Sequence, residues 1–215
     1  MNSSEFPRHA FCRDDESPDA LFYSQPRLVA HIDDAAIAAV TQIYREFLPR
    51  NGSVLDLMSS WISHLPAEIQ YPHVAGLGMN REELAANPRL HRFVVHDLNQ
   101  HPLLPFDDAS FDAATICVSI DYLTDPVAVL RDLARVVRLD GPLVITFSNR
   151  CFPTKAIHAW LSTDDAGRIG IVKALLARSG VWSRIEALDR SPARGRSDPL
   201  FCVLAHSNSD HEGSK

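Results

Sequence analysis

From Ser53 to Ala205 the chain alternates short, continuously apolar runs with segments whose apolar residues recur every three or four positions. The runs Ser53–Leu57, His73–Leu77, Arg92–His96, Phe111–Ser119 and Pro142–Ser148 leave neither side suited to water, as in strands of a mostly parallel sheet covered on both faces. One periodic segment runs from Pro26 through Leu28, Ile32, Ala36, Val40, Ile43, Tyr44 and Phe47 and stops at Pro49 and Asn51-Gly52. Another is opened by Asp125-Pro126, continues through Val129, Leu130, Leu133, Val136 and Val137, and is stopped by Asp140-Gly141. Shorter helices are expected near Pro66–Gln70, after Asn80, whose spacing to Glu83 resembles a capping box, and over Ala166–Ser179. The end breaks this rhythm. Trp182–Asp189 and Leu200–Ala205 are separated only by a Pro/Gly/Arg/Ser-rich loop, too short for a crossover helix, so the last two strands form an antiparallel hairpin.

With 215 residues, 46% of them hydrophobic, one domain with a substantial core is expected. Residues 1–18 and 207–215 are polar and aperiodic and are expected to be poorly ordered. The single domain then covers 19–206, with residues 19–50 as an N-terminal helical lid. The net charge of -6 arises without any Lys/Arg block, which speaks against nucleic-acid partners. No apolar run reaches the roughly 20 residues of a membrane span, and the acidic N-terminus does not read as a signal peptide, so a cytoplasmic, membrane-free protein is expected. Cys12, Cys117, Cys151 and Cys202 lie far apart, and no His/Cys spacing suggests a metal site.

Three stretches carry a family resemblance. Val54-Leu55-Asp56-Leu57, Leu104-Pro105-Phe106-Asp107-Asp108-Ala109-Ser110-Phe111-Asp112, and Asp125-Pro126 leading to Leu130-Arg131-Asp132-Leu133-Ala134-Arg135-Val136-Val137-Arg138 stand in this order. They resemble the class I S-adenosylmethionine-dependent methyltransferases of the small-molecule branch, whose members read V-L-D-L-G-C-G-T-G, then L-P-F-x-D-x-S-F-D, then D-P-x-x-x-L-R-E-x-x-R-V-L-K-P-G-G. The resemblance implies a Rossmann-like α/β fold with a seven-stranded, mostly parallel sheet of order 3-2-1-4-5-7-6, strand 7 antiparallel, and helices on both faces. It also implies S-adenosyl-L-methionine as cofactor and a small-molecule acceptor.

The cofactor motif departs from the family at the turn after the first strand, where Met58, Ser59, Ser60, Trp61 and Ile62 replace the glycine-rich run. The family's glycines let the backbone approach the cofactor, and the following helix N-terminus faces its carboxylate. Ser59 and Ser60 offer hydroxyls for the same task and Trp61 a ring face for a sulfonium, whereas Met58 and Trp61 pointing inward would plug the pocket. The acid that normally ends the second strand is replaced by Gly78, followed by Met79 and Asn80; Asn80 is either a ribose contact or only a helix cap. Asp97 and Leu98 correspond to the adenine-contacting pair, Asp56 braces the turn or touches cofactor, and Ser119 ends the fourth strand.

Near the methyl-transfer centre the resemblance places Asp121 and Tyr122, with His31 as a possible base. Tyr23 and Arg27, and after the fifth strand Asn149, Arg150 and Lys155, are substrate-wall candidates, the charged ones suited to an anionic substrate or merely solvated in a surface loop. Two rival readings stand beside the methyltransferase: an inactive relative with a plugged pocket acting as a binding or regulatory module, and an enzyme of the same fold using another ligand.

Overall fold

A computed structural model describes residues 6–208. Its helices are α1 (Asp19–Phe22), α2 (Asp34–Phe47), α3 (Arg81–Ala86), α4 (Pro126–Val136), α5 (His158–Leu161) and α6 (Asp165–Ser179). Its strands are β1 (Ser53–Leu57), β2 (His73–Gly78), β3 (Arg92–Val95), β4 (Ala113–Cys117), β5 (Pro142–Phe147), β6 (Trp182–Asp189) and β7 (Phe201–Ser207). All seven strands form one sheet of order β3-β2-β1-β4-β5-β7-β6. Strands β1 to β5 pair in parallel, and β7 runs antiparallel to both β5 and β6. The expected sheet and closing hairpin are therefore present.

Alternation along the inner strands feeds two apolar layers. Leu55 and Leu57 of β1 pack with α4, α5 and α6 residues such as Val129, Trp160 and Leu176. Val54 faces the other layer, built from Val40, Ile43 and Tyr44 of α2 and from Leu65, Ile69 and Tyr71. A doubly covered sheet of this kind binds ligands where strand order reverses, at the carboxyl ends of β1 and β4.

The two motifs that follow one another in sequence are joined in space. Asp132 of α4 accepts from Leu104 N at 2.6 Å and from Arg135 Nε at 2.7 Å. Arg135 in turn donates to Asp108 and to the carbonyls of Phe106 and Leu104. The Leu104–Asp112 stretch is thus a loop clamped onto α4, and these motif residues act as scaffold.

Three expectations need correction. The periodic segment beginning at Pro26 is helical only from Asp34, because the Asp33 side chain accepts from Ala36 N and caps the helix there. Residues 23–33 instead form an irregular strap, held by Arg27 N donating to Glu83 and by Trp61 Nε1 donating to Val29 O. The helix expected near Pro66–Gln70 is a single turn, Ile69 N to Pro66 O, so β1 is followed by an irregular loop. Finally, the segment from Phe6 to Pro18 packs on the body. Phe6 stacks edge-on against Phe11 at 5.3 Å, His158 N donates to Cys12 O, and buried Arg13 pairs with Asp19. Residues 1–5 and 209–215 lie outside the described residues, and with them part of each expected terminal segment.

Candidate functional site

The β1 turn takes up by other means the conformation that glycine would favour. Met58 has φ +57°, in the left-handed region, at a cost of about 1–3 kcal/mol for a non-glycine residue. Ser59 N donates to Leu77 O at 2.8 Å, laying the turn over the end of β2. There Gly78 becomes indispensable: a Cβ on it would stand 2.1 Å from Ser59 O. The residue that replaces the family's ribose-binding acid thus gives backbone room to the rebuilt turn.

Asp56, fully buried, fastens that turn from below. It accepts from Ser59 Oγ and Ser63 Oγ, each at 2.6 Å, and from Thr115 Oγ1 at 3.1 Å. Burial raises its pKa, against the pull of the three hydroxyls. Ser60 Oγ donates to Glu83 at 2.6 Å, and the other Glu83 oxygen accepts from Arg27 N at 2.6 Å. The two serine hydroxyls therefore serve the turn, and neither β1 nor its loop offers a helix N-terminus to a carboxylate.

Above these strand ends lies a cleft of about 1160 Å3, open mouth included. It is lined by Tyr23, Arg27 and His31 of the strap, Asp56, Met58, Ser59, Ser60 and Trp61 of the turn, Gly78, Met79 and Asn80 after β2, Asp97 and Leu98 after β3, and Ser119 and Tyr122 after β4. Met58 and Trp61 stand in the wall, the indole turned to the strap carbonyl of Val29. Asn80 caps α3 by accepting from Glu82 N and Glu83 N while its amide donates to Tyr23 O. Asp97 accepts from Asn99 N at 3.0 Å and from Gln100 Nε2 at 2.9 Å, so its oxygens brace their own turn at the cleft edge.

A second cavity, of about 800 Å3, adjoins the first and shares Ala30, His31, Val118, Tyr122 and Phe152 with it. Arg150 and Cys151 line this outer chamber, with Arg150 paired to Asp198 at 2.8 Å. The protein packed around the His31 ring lowers its pKa, and burial raises those of Cys117, to about 11, and Cys151. Neither thiol is set up as a nucleophile.

Three expected site residues lie elsewhere. The Asp121 carboxyl is buried away from both chambers, with one oxygen lacking a partner, and burial pushes its pKa to about 8. Lys155 is fully buried in an ion-pair network with Asp15 and Asp19 and cannot meet a substrate. Asn149 is exposed and lines neither chamber. Conversely, the cleft includes His64, Glu83, Val118 and Phe152, which sequence reasoning passed over as site residues. Glu83 was visible only as a capping partner; His64 lies two residues beyond the rewritten turn, with no motif around it.

Backbone strain gathers here. Of the non-glycine residues with left-handed φ among the described residues, Met58, His64 (φ +54°) and Val118 (φ +43°) all line the cleft. A β-branched residue in that region is a true outlier, and such strain persists only where the surrounding structure holds it, most often at ligand sites.

The methyltransferase-domain family profile matches residues 65–145, from just past the rebuilt turn into β5. Residues 65–145 thus resemble a methyltransferase domain. A demethylmenaquinone methyltransferase of Mycobacterium sp. (strain KMS) is 37% identical over 121 residues, covering 48% of this chain and 52% of that protein. A ubiquinone/menaquinone biosynthesis C-methyltransferase of Citrifermentans bemidjiense is 34% identical over 90 residues, covering 41% of this chain and 35% of that protein. The chain thus spans about half the length, or less, of these relatives. An S-adenosylmethionine-dependent methyltransferase structure from Mesorhizobium loti has a TM-score of 0.53 at 17% identity, covering 78% of this chain and 97% of that one, a likeness of fold. Among the described residues no helix is long and apolar enough to cross a membrane, and no group of three or more His, Cys, Asp or Glu side chains could hold a metal.

Proposed function

We propose that the chain transfers a methyl group from S-adenosyl-L-methionine to a small planar acceptor. The observation that carries this reading is the cleft itself, at the strand-order switch, with the strained residues Met58, His64 and Val118 in its wall. Buried polar atoms without partners fit a ligand there: Arg27 Nη1, His64 Nδ1 and Ser119 Oγ all belong to lining residues. The cofactor, when bound, supplies an electrophilic sulfonium methyl. Leu77, Met79 and Leu98 offer apolar contact to its adenosine part, with Asp97 and Asn80 at the edge.

The acceptor occupies the outer chamber, meeting the inner one at His31, Val118, Tyr122 and Phe152. Tyr122 and Phe152, which line both chambers, supply aromatic surface, their tilted rings 5.9 Å apart between centroids. That surface and the quinone-related names of the relatives favour a quinol-like aromatic acceptor. His31, which lines both chambers and whose pKa is lowered by burial, is assigned the role of taking the acceptor's proton. Most of the rate comes from aligning the acceptor in a site shielded from water. Incubation with methyl-labelled S-adenosylmethionine and a reduced naphthoquinone is expected to carry label into the organic extract. Absence of label would overturn the quinol assignment.

A further inference from the structure

The turn after β1 leaves a chemical gap. Its serine hydroxyls are spent on Asp56 and Glu83, and an irregular loop stands where a helix N-terminus would present free N–H groups. A zwitterionic ligand head entering the cleft needs a donor for its carboxylate and an acceptor for its ammonium. Both are present, unpartnered. Arg27 already donates through Nη2 to Phe22 O at 2.8 Å and lies over the Phe22 ring at 4.4 Å, so its guanidinium is fixed while buried Nη1 has no partner.

His64 is fixed as firmly. Its carbonyl accepts from Thr41 Oγ1 at 3.0 Å, and the preceding Ser63 is bound to both Asp56 and Asn87. Its backbone is held at φ +54° and its buried Nδ1 has no partner. Burial lowers its pKa to about 4, leaving a neutral ring whose free nitrogen can accept. His31 stands by both in the cleft wall: its ring lies 5.2 Å from Phe152, Arg27 lies 5.4 Å from the same ring, and a charge on His31 would lower the His64 pKa further.

We propose that Arg27 and His64 recognise the α-amino-acid head of the ligand, Nη1 donating to the carboxylate and Nδ1 accepting from the ammonium, in place of the glycine turn and helix N-terminus. This rests on the cofactor reading above and goes further, assigning the subsite to a strap residue and a loop histidine. It also explains the strained backbone at His64, where glycine would fit without cost.

The test compares S-adenosylhomocysteine with 5′-methylthioadenosine, which lacks the amino-acid head, by calorimetry on the full chain. Arg27→Met, His64→Gly and His64→Asn, the last two tolerant of the same backbone, are each expected to weaken S-adenosylhomocysteine by about tenfold or more. Binding of 5′-methylthioadenosine should stay within about twofold. His64→Gly, released from its strain, should melt no lower than the parent. Equal weakening of both ligands, or unchanged S-adenosylhomocysteine affinity, would overturn the assignment while leaving the cofactor reading intact. A parent protein that binds neither ligand would overturn both.

Discussion

Lys155→Met is expected to destabilise the protein by about 3–5 kcal/mol, the usual cost of breaking a buried ion pair from one side. For a chain of this size that lowers Tm by about 10 °C. The Lys155 Nζ donates to Ser17 O at 2.7 Å and pairs with Asp15 and Asp19 at 3.2 Å each. Asp19 also accepts twice from Arg13, at 2.9 Å each, and from Asn99 Nδ2 at 2.8 Å. Burial alone would raise the Asp19 pKa, but these donors bring it below its ordinary value on balance. Methionine keeps the volume and removes the charge, leaving Asp19 with Arg13 and Asp15 without its cationic partner. Because Asp19 lines the cleft and leads into the strap, thermal melting should show the loss together with weaker S-adenosylhomocysteine binding. A Tm unchanged within error would mean that the network does not hold the strap.

Asp121→Asn is expected to act in the opposite direction. The carboxyl is fully buried and its pKa is raised from 3.8 to about 8, so between those values the folded state binds more protons than the unfolded one. Stability conferred by the neutral form is complete below the unfolded pKa and is lost as pH rises toward the folded one. Asparagine is neutral throughout and of the same shape. The variant should therefore be more stable than the parent by about 2–4 kcal/mol at pH 8, the gap closing toward pH 4. Urea unfolding at several pH values measures the difference, which isolates Asp121 from carboxylates such as Asp132 whose pKa is lowered. Equal stabilities at pH 8 would show that Asp121 ionises in the folded state without penalty.

Much of the fold was legible because strand burial and helix periodicity leave separate marks. The continuous apolar runs gave the parallel strands, and a loop too short for a crossover helix gave the hairpin of β6 and β7. Asp125 read correctly as a helix cap, and Asn80, which the sequence left open between cap and ribose contact, caps α3. What escaped was polar structure whose partners lie far away in the chain. Arg13, Asp19 and Lys155 look like solvated surface until 136 residues of separation are folded away between Asp19 and Lys155. The apolar period starting at Leu28 predicts a longer helix than forms, since Asp33 caps locally while Glu83 and Trp61 hold the strap from outside.

The site was legible by element rather than by atom. Strand ends located the cleft, but Ser59, Ser60, Asn80 and Asp97 turned out to have their polar atoms committed to the scaffold. Gly78 looked like the loss of a binding acid and is a steric requirement of the turn. His64 had no motif to announce it; only its backbone strain and its unpartnered nitrogen mark it.

The central claim is that a glycine-free β1 turn still builds an adenosyl-cofactor site. Calorimetric titration of the full chain with S-adenosylhomocysteine tests it most directly. Saturable heat with one ligand per chain is expected, accompanied by a change in tryptophan fluorescence as the cleft around Trp61 fills. No heat at millimolar ligand, from a protein that melts cooperatively, would contradict it.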